Sequence, residues 1–243
     1  NALKNQFLLD EFLDLINREP IEWLNYFKNS SVNQFNKYKI VINRMSTDSE
    51  ICNLFDLSRL NNIKQASFKE WENQLRMYSP KIGDKQLSYN KYNYFGKDFT
   101  LSHYKADNNS ENNLLIGFTG NASLLMSPLP CLIDTLKRLN FDLILVHRNK
   151  KISYFDEKQL IYLKIEKSIN KIIYSNNYNT ISKKLITIGT SAAALPSLVF
   201  AIRNSLKLGI YIGGSSNDFD ILSSLLFDKN SNRSFLLPNV IEE

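Results

Sequence analysis

Histidine is nearly absent from these 243 residues: His103 and His147 are the only two, which limits metal ligation and general-base chemistry from the outset. Cysteine is as scarce. Cys52 and Cys131 stand far apart, in neither a CxxC nor a Cys/His spacing, so no zinc motif or disulfide framework is indicated and a reduced, cytoplasmic setting without metal or cofactor is expected. No run approaches the roughly 20 apolar residues of a membrane-spanning helix, and the first residues lack the basic-then-apolar layout of a signal peptide, so membrane insertion is not expected. Clustered positive charge is missing too. Lys and Arg number 30 against 24 for Asp and Glu, a net charge of +6, yet they are scattered, with short doublets at Lys150-Lys151 and Lys183-Lys184. A nucleic-acid partner would need a basic face or a module signature, and neither is present.

What is present is a globular composition. Hydrophobic residues make up 43% and charged residues 22%, enough to bury a sizeable core. Residues 1–95 read as helical. In NALKNQFLLDEFLDLINREP the apolar residues Phe7, Leu8, Phe12, Leu15 and Ile16 fall on one helical face; Pro20 suits the first turn of PIEWLNYFK; and Ser67 with Glu70 has the capping-box spacing before SFKEWENQLRMY ends at Pro80. The stripe Phe68, Trp71 and Tyr78 has the spacing of core packing.

Residues 96–243 change in texture. DFTLSHYKA alternates with period two, and LLIGFTG, DLILVH, KLITIG and LGIYIGG are short apolar runs of the kind buried on both faces of a sheet. Between the apolar runs lie helical stretches: LPCLIDTLKRLN, KQLIYLKIEKSINKIIYSNN and ALPSLVFAIRNSL. Strands alternating with crossover helices build an α/β fold, a mostly parallel sheet with helices on both faces, here preceded by the helical N-terminal region. Function in such a sheet gathers beyond the carboxyl ends of the strands. Three ends carry chemistry: Gly120-Asn121, His147-Arg148 and Thr190-Ser191-Ala192.

Gly189-Thr190-Ser191-Ala192-Ala193 has the G-x-S-x-small pattern of a strand-to-helix turn so tight that the flanking residues must be small. The competing reading makes Ser191 an ordinary helix N-cap. Pro196, this far into the helix, is expected to remove one intrahelical hydrogen bond and to kink it.

LLIGFTGNASLLMSPLP, LILVHRNKKISYF and LITIGTSAAALPSLVFAIRNSLKLGIYIGG together resemble a bacterial group of α/β-hydrolase-like proteins with a strand ending in F-T-G-N, a strand followed by arginine, and a G-T-S-A-G-G elbow. The likeness covers about residues 98–214. It implies a sheet of α/β-hydrolase type and a serine-dependent esterase, acyl-hydrolase or acyltransferase acting on a small-molecule ester or acyl substrate. Ser191 falls on the nucleophile position; Ala192 and Asn121, with Gly120 allowing close approach, fall on the oxyanion side. The chain departs from the pattern with Ala193-Ala194 where two glycines stand.

No histidine follows Ser191, although the fold's usual chain order places the base there. His147 is expected two strand spacings from Ser191, about 10 Å, and with Arg148 is assigned to the substrate rather than to proton transfer. His103 is expected to be structural. Asp218, after the last apolar strand, is the candidate acid that orients the base. The sequence begins at Asn1 rather than Met and LLPNVIEE forms no closing element, so a fragment is expected, with the histidine beyond residue 243. Two readings remain open here: a serine hydrolase or acyltransferase, and a non-catalytic module of the same fold whose helical N-terminal region serves a protein partner.

Overall fold

The structure, a computed structural model, describes residues 19–62, 65–84, 88–96, 98–107, 112–120, 125, 127–148, 154–155, 160–178 and 184–214. The chain forms two compact units, one comprising the described residues up to Tyr89 together with Ser127–Leu139, the other Asn90–Met126 together with the described residues from Asn140 onward.

The first unit is helical. Helix α1 (Pro20–Lys28) starts with proline at its first position and with the Glu22 carboxylate accepting the Glu19 N–H at 2.9 Å. Helices α2 (Val32–Met45) and α3 (Asp48–Leu60) open on reciprocal capping boxes, Ser31 with Gln34 and Thr47 with Glu50, which satisfy donors that a helix start otherwise leaves unpaired. Helix α4 spans Gln65–Tyr78, so Ser67 lies inside it and is not its cap; Glu70 instead accepts from Gln74 one turn on, at 3.3 Å. Helix α5 (Leu129–Leu139) belongs to the same unit.

Phe27, Phe35, Phe55, Phe68 and Trp71 pack mostly edge to face or tilted, with Trp23 buried in the same core, where ring contacts add to area burial. The expected stripe holds for Phe68 and Trp71 but not for Tyr78, which is 72% exposed at the last residue of α4; Leu75 and Ile82 supply the buried side chains there. Lys137 of α5 donates to Asp48 of α3 at 2.6 Å, both nearly sealed from solvent.

The second unit is a six-stranded sheet: β1 (Tyr89–Phe95), β2 (Phe99–Ala106), β3 (Asn113–Phe118), β4 (Phe141–Arg148), β5 (Leu185–Thr190) and β6 (Leu208–Ile212), in the spatial order β1-β2-β4-β3-β5-β6. Strand β2 runs antiparallel to β4, while β4, β3, β5 and β6 are mutually parallel. The sheet is mostly parallel, as expected. Residues 89–95, grouped with the helices by sequence, form edge strand β1 instead: YNKYNYF alternates half-buried and exposed positions, and its tyrosines fit a pleated, half-covered surface better than a helix.

Helices α6 (Leu160–Ser175) and α7 (Ala194–Arg203) return the chain between parallel strands, as right-handed crossovers require. Tyr162, Ile165, Ile169, Ile172 and Ile173 of α6 and Leu195, Val199 and Phe200 of α7 share one core with Leu114, Ile116, Phe118, Ile144 and Val146, so both helices cover the same face. α5, expected as a further crossover helix on the sheet, groups with the helical unit. Arg203 and Glu166 pin α7 to α6 through a buried pair, Nε to the two carboxylate oxygens at 2.8 and 3.0 Å.

His103 lies inside β2, 1% exposed, with Nε2 3.2 Å from the Tyr178 hydroxyl. Tyr178 donates its one proton to Asp142, so His103 donates from Nε2. Asp142 also accepts from Ala106 N at 3.0 Å and from Asn112 Nδ2 at 2.8 Å. Burial holds His103 near pKa 4, Asp142 opposing the shift and Lys105 adding to it. No helix among the described residues is long and apolar enough to cross a membrane.

Candidate active site

Strand β5 ends at Thr190, and the chain turns through a 3₁₀ turn, Ser191–Ala193, into α7. Ser191 has φ 53°, in the left-handed region that L-residues enter at a cost of roughly 1–2 kcal/mol. Four other non-glycine residues among the described ones have positive φ. Asn62, Asn140, Asn177 and Ser205 each follow the end of a helix, where a left-handed residue commonly closes the last turn. Ser191 instead precedes one. The N-cap reading fails on a second count, since neither the 3₁₀ turn nor α7 has a side-chain cap hydrogen bond at its start. Ser191 and Ala192 are exposed at the carboxyl end of the sheet.

Gly189, two residues before the serine, is small because nothing larger fits. A Cβ on Gly189 would stand 2.1 Å from the Ala193 carbonyl oxygen and 2.4 Å from Ser197 Oγ. Thr187 of β5 donates to the Ser197 carbonyl at 3.1 Å, and Ser197 donates to the Ala194 carbonyl at 2.7 Å, drawing the start of α7 onto the strand. Helix α7 begins at Ala194, three residues past the serine, so Pro196 falls in the first turn, where amide groups have no intrahelical acceptor, and the expected lost bond does not arise.

Strand β3 lies beside β5, with Phe118 level with Gly189. Its exit loop therefore meets the serine: a Cβ on Gly120 would lie 2.9 Å from the Thr190 carbonyl oxygen and 3.3 Å from Ser191 Cβ. Gly120 thus approaches Ser191 as closely as glycine alone permits. Asn121 and Asp218 lie outside the described residues.

The second pair sits farther off. Strand β3 separates β4 from β5, and Val146 is level with Phe118, so His147 stands two strand spacings from the serine, about 10 Å. His147 is 3% exposed. His103, in β2, is three spacings away, about 14 Å across the sheet, and level with Thr187, four residues short of the serine. The structure therefore brings together Ser191, Ala192 and Gly120, and keeps both histidines apart from them. Among the described residues no group of three or more His, Cys, Asp or Glu side chains could hold a metal ion.

Sequence reasoning missed Tyr154. The Arg148 guanidinium lies 4.7 Å over its ring, and its buried hydroxyl donates to the Thr119 carbonyl at 3.0 Å, one residue before Gly120. Burial pushes this phenol well above its usual value, so it remains a donor. The only signal in the sequence was an aromatic pair in a polar loop, Tyr154-Phe155, among lysines.

No family model and no curated protein matches the chain. Similar solved structures include the esterase Pf2001 of Pyrococcus furiosus, 18% identical over 54% of this chain and 53% of that one, with a TM-score of 0.38. Another is Est1E from Butyrivibrio proteoclasticus, 14% identical over 55% of each chain, with a TM-score of 0.38. The chain spans about half the length of these structures.

Proposed function

We propose that the protein is a serine-dependent hydrolase or acyltransferase acting on a small ester or acyl substrate. One observation carries the reading: Ser191 is held at positive φ between a strand and a helix, exposed, with its side chain capping neither the 3₁₀ turn nor α7. A residue kept in a strained conformation where a relaxed one would serve the turn is a candidate for function.

In this mechanism Ser191 Oγ attacks the acyl carbon, its proton passes to a base, and the carbonyl electrons move onto oxygen. The N–H of Ala192 and the Gly120-Asn121 loop stabilise that oxyanion. Collapse expels the alcohol, which takes the proton, and water or a second alcohol then receives the acyl group from the serine. The base is neither His103 nor His147, by the strand spacings above; we assign its orientation to Asp218 and contact with the substrate to His147 and Arg148. Among the described residues no histidine lies close to Ser191, which favours a second reading, a binding module that keeps the fold without turnover.

Labelling with a fluorophosphonate, which phosphonylates activated serines, separates the two. The full-length protein is expected to label and Ser191→Ala is not; equal labelling of the two proteins rules out the enzyme.

A further inference from the structure

We infer that Tyr154 is a positioning residue for the Ser191 site: by gripping the Thr119 carbonyl it fixes the Gly120 amide beside the nucleophile, with Arg148 holding the ring in place. This rests on the reading of Ser191 as nucleophile.

Planarity of the peptide group makes the link. The Thr119 carbonyl and the Gly120 N–H belong to one planar trans unit, so they point in opposite directions and turn together. The Tyr154 hydroxyl fixes the carbonyl at 3.0 Å. Thr119 is also tied to β4, its N–H donating to the Val146 carbonyl at 3.1 Å and its hydroxyl to the same oxygen at 2.9 Å. These bonds anchor the residue where it leaves the strand. They do not set the rotation of the peptide that follows it, and Tyr154 does.

Tyr154 itself is immobilised on three sides. Phe118 meets its ring edge to face at 5.9 Å, Arg148 covers the ring at 4.7 Å, and the hydroxyl is spent on Thr119. A donor on a peptide carbonyl also polarises the amide on its other side, so the same bond strengthens Gly120 N–H as a hydrogen-bond donor. Gly120 abuts Thr190 and Ser191, so the oriented, polarised amide lies where negative charge develops on an attacked acyl oxygen. Arg148, which the sequence assigned to the substrate, gains here a task independent of it.

Tyr154→Phe tests this, because it keeps the ring and its packing and deletes only the donor. With p-nitrophenyl acetate as probe, kcat is expected to fall about ten-fold with KM within about two-fold, the pattern of an interaction that matters in the transition state alone. Fluorophosphonate labelling should slow in proportion, and amide hydrogen exchange at Gly120 should quicken. A merely structural tyrosine would lower the melting temperature and leave kcat unchanged. Should Tyr154→Phe not fold, Arg148→Lys, which keeps the charge but not the planar stacking, is expected to lower kcat by a smaller factor and to quicken amide exchange at Gly120, whatever its substrate contact does to KM. Turnover lost in Ser191→Ala but kept within about two-fold in the two variants overturns this inference alone. Turnover kept in Ser191→Ala overturns the nucleophile reading, and this inference with it.

Discussion

The claim that Ser191 is strained can be tested without any substrate, by comparing Ser191→Gly with Ser191→Ala. Both remove the hydroxyl from an exposed position where it caps nothing, so neither forfeits appreciable burial. They differ in the backbone. At φ 53° alanine keeps the penalty of roughly 1–2 kcal/mol that an L-residue carries in the left-handed region, and glycine escapes it. Glycine gives back about 0.5–1 kcal/mol through the greater freedom of its unfolded chain. The balance leaves Ser191→Gly more stable than Ser191→Ala by up to about 1.5 kcal/mol. At roughly 2–4 °C per kcal/mol this is a rise of up to about 6 °C in melting temperature. Tryptophan fluorescence would miss it, since both tryptophans, Trp23 and Trp71, lie in the helical core. Calorimetry, with amide exchange along β5, reads the sheet unit. If Ser191→Gly proves the less stable of the pair, residue 191 is not left-handed in solution and the case for a strained nucleophile collapses.

Gly189→Ala is expected to destabilise the sheet unit by roughly 3 kcal/mol, because its Cβ would collide with the Ala193 backbone oxygen, which cannot swing aside; wild-type stability in urea would contradict the tight turn. His103 stays neutral in the fold down to about pH 4, whereas the unfolded chain protonates it near 6.5, so the unfolded state binds more protons in between. Stability is therefore full above pH 6.5 and declines towards pH 4 by on the order of 3 kcal/mol, and His103→Gln should flatten that slope in urea titrations at stepped pH. Arg203→Ala strands the buried Glu166 carboxylate and is expected to cost about 3–5 kcal/mol, most of it recovered in Arg203→Met/Glu166→Leu; a double variant as unstable as the single one would mean the pair is not the source of the loss.

The sheet was legible because β3, β4 and β5 are apolar runs, and a strand buried on both faces has no other way to be written. Strand β1 was not, because an edge strand needs no apolar run, and tyrosines alternating with asparagine and lysine carry little pattern. The serine was found from the small residues around it, and the Ala193 carbonyl explains why Gly189 is one of them. Tyr154 lay beyond reach: its role comes from one hydroxyl meeting a carbonyl 35 positions earlier, a contact that no local spacing encodes.

Helix α5 sits in the chain between β3 and β4 yet belongs to the helical unit, so the two units are interleaved and no single cut frees one from the other. A polypeptide beginning at residue 90 would keep α5 but lose Asp48 and Ser79, leaving Lys137, sealed in the intact fold, without its carboxylate and Asp134 with Arg138 as its remaining partner. During synthesis α1–α4 must wait for β1, β2 and β3 to emerge before α5 arrives. Domain dissection of this protein should therefore begin with an α5 whose inward face has been made polar.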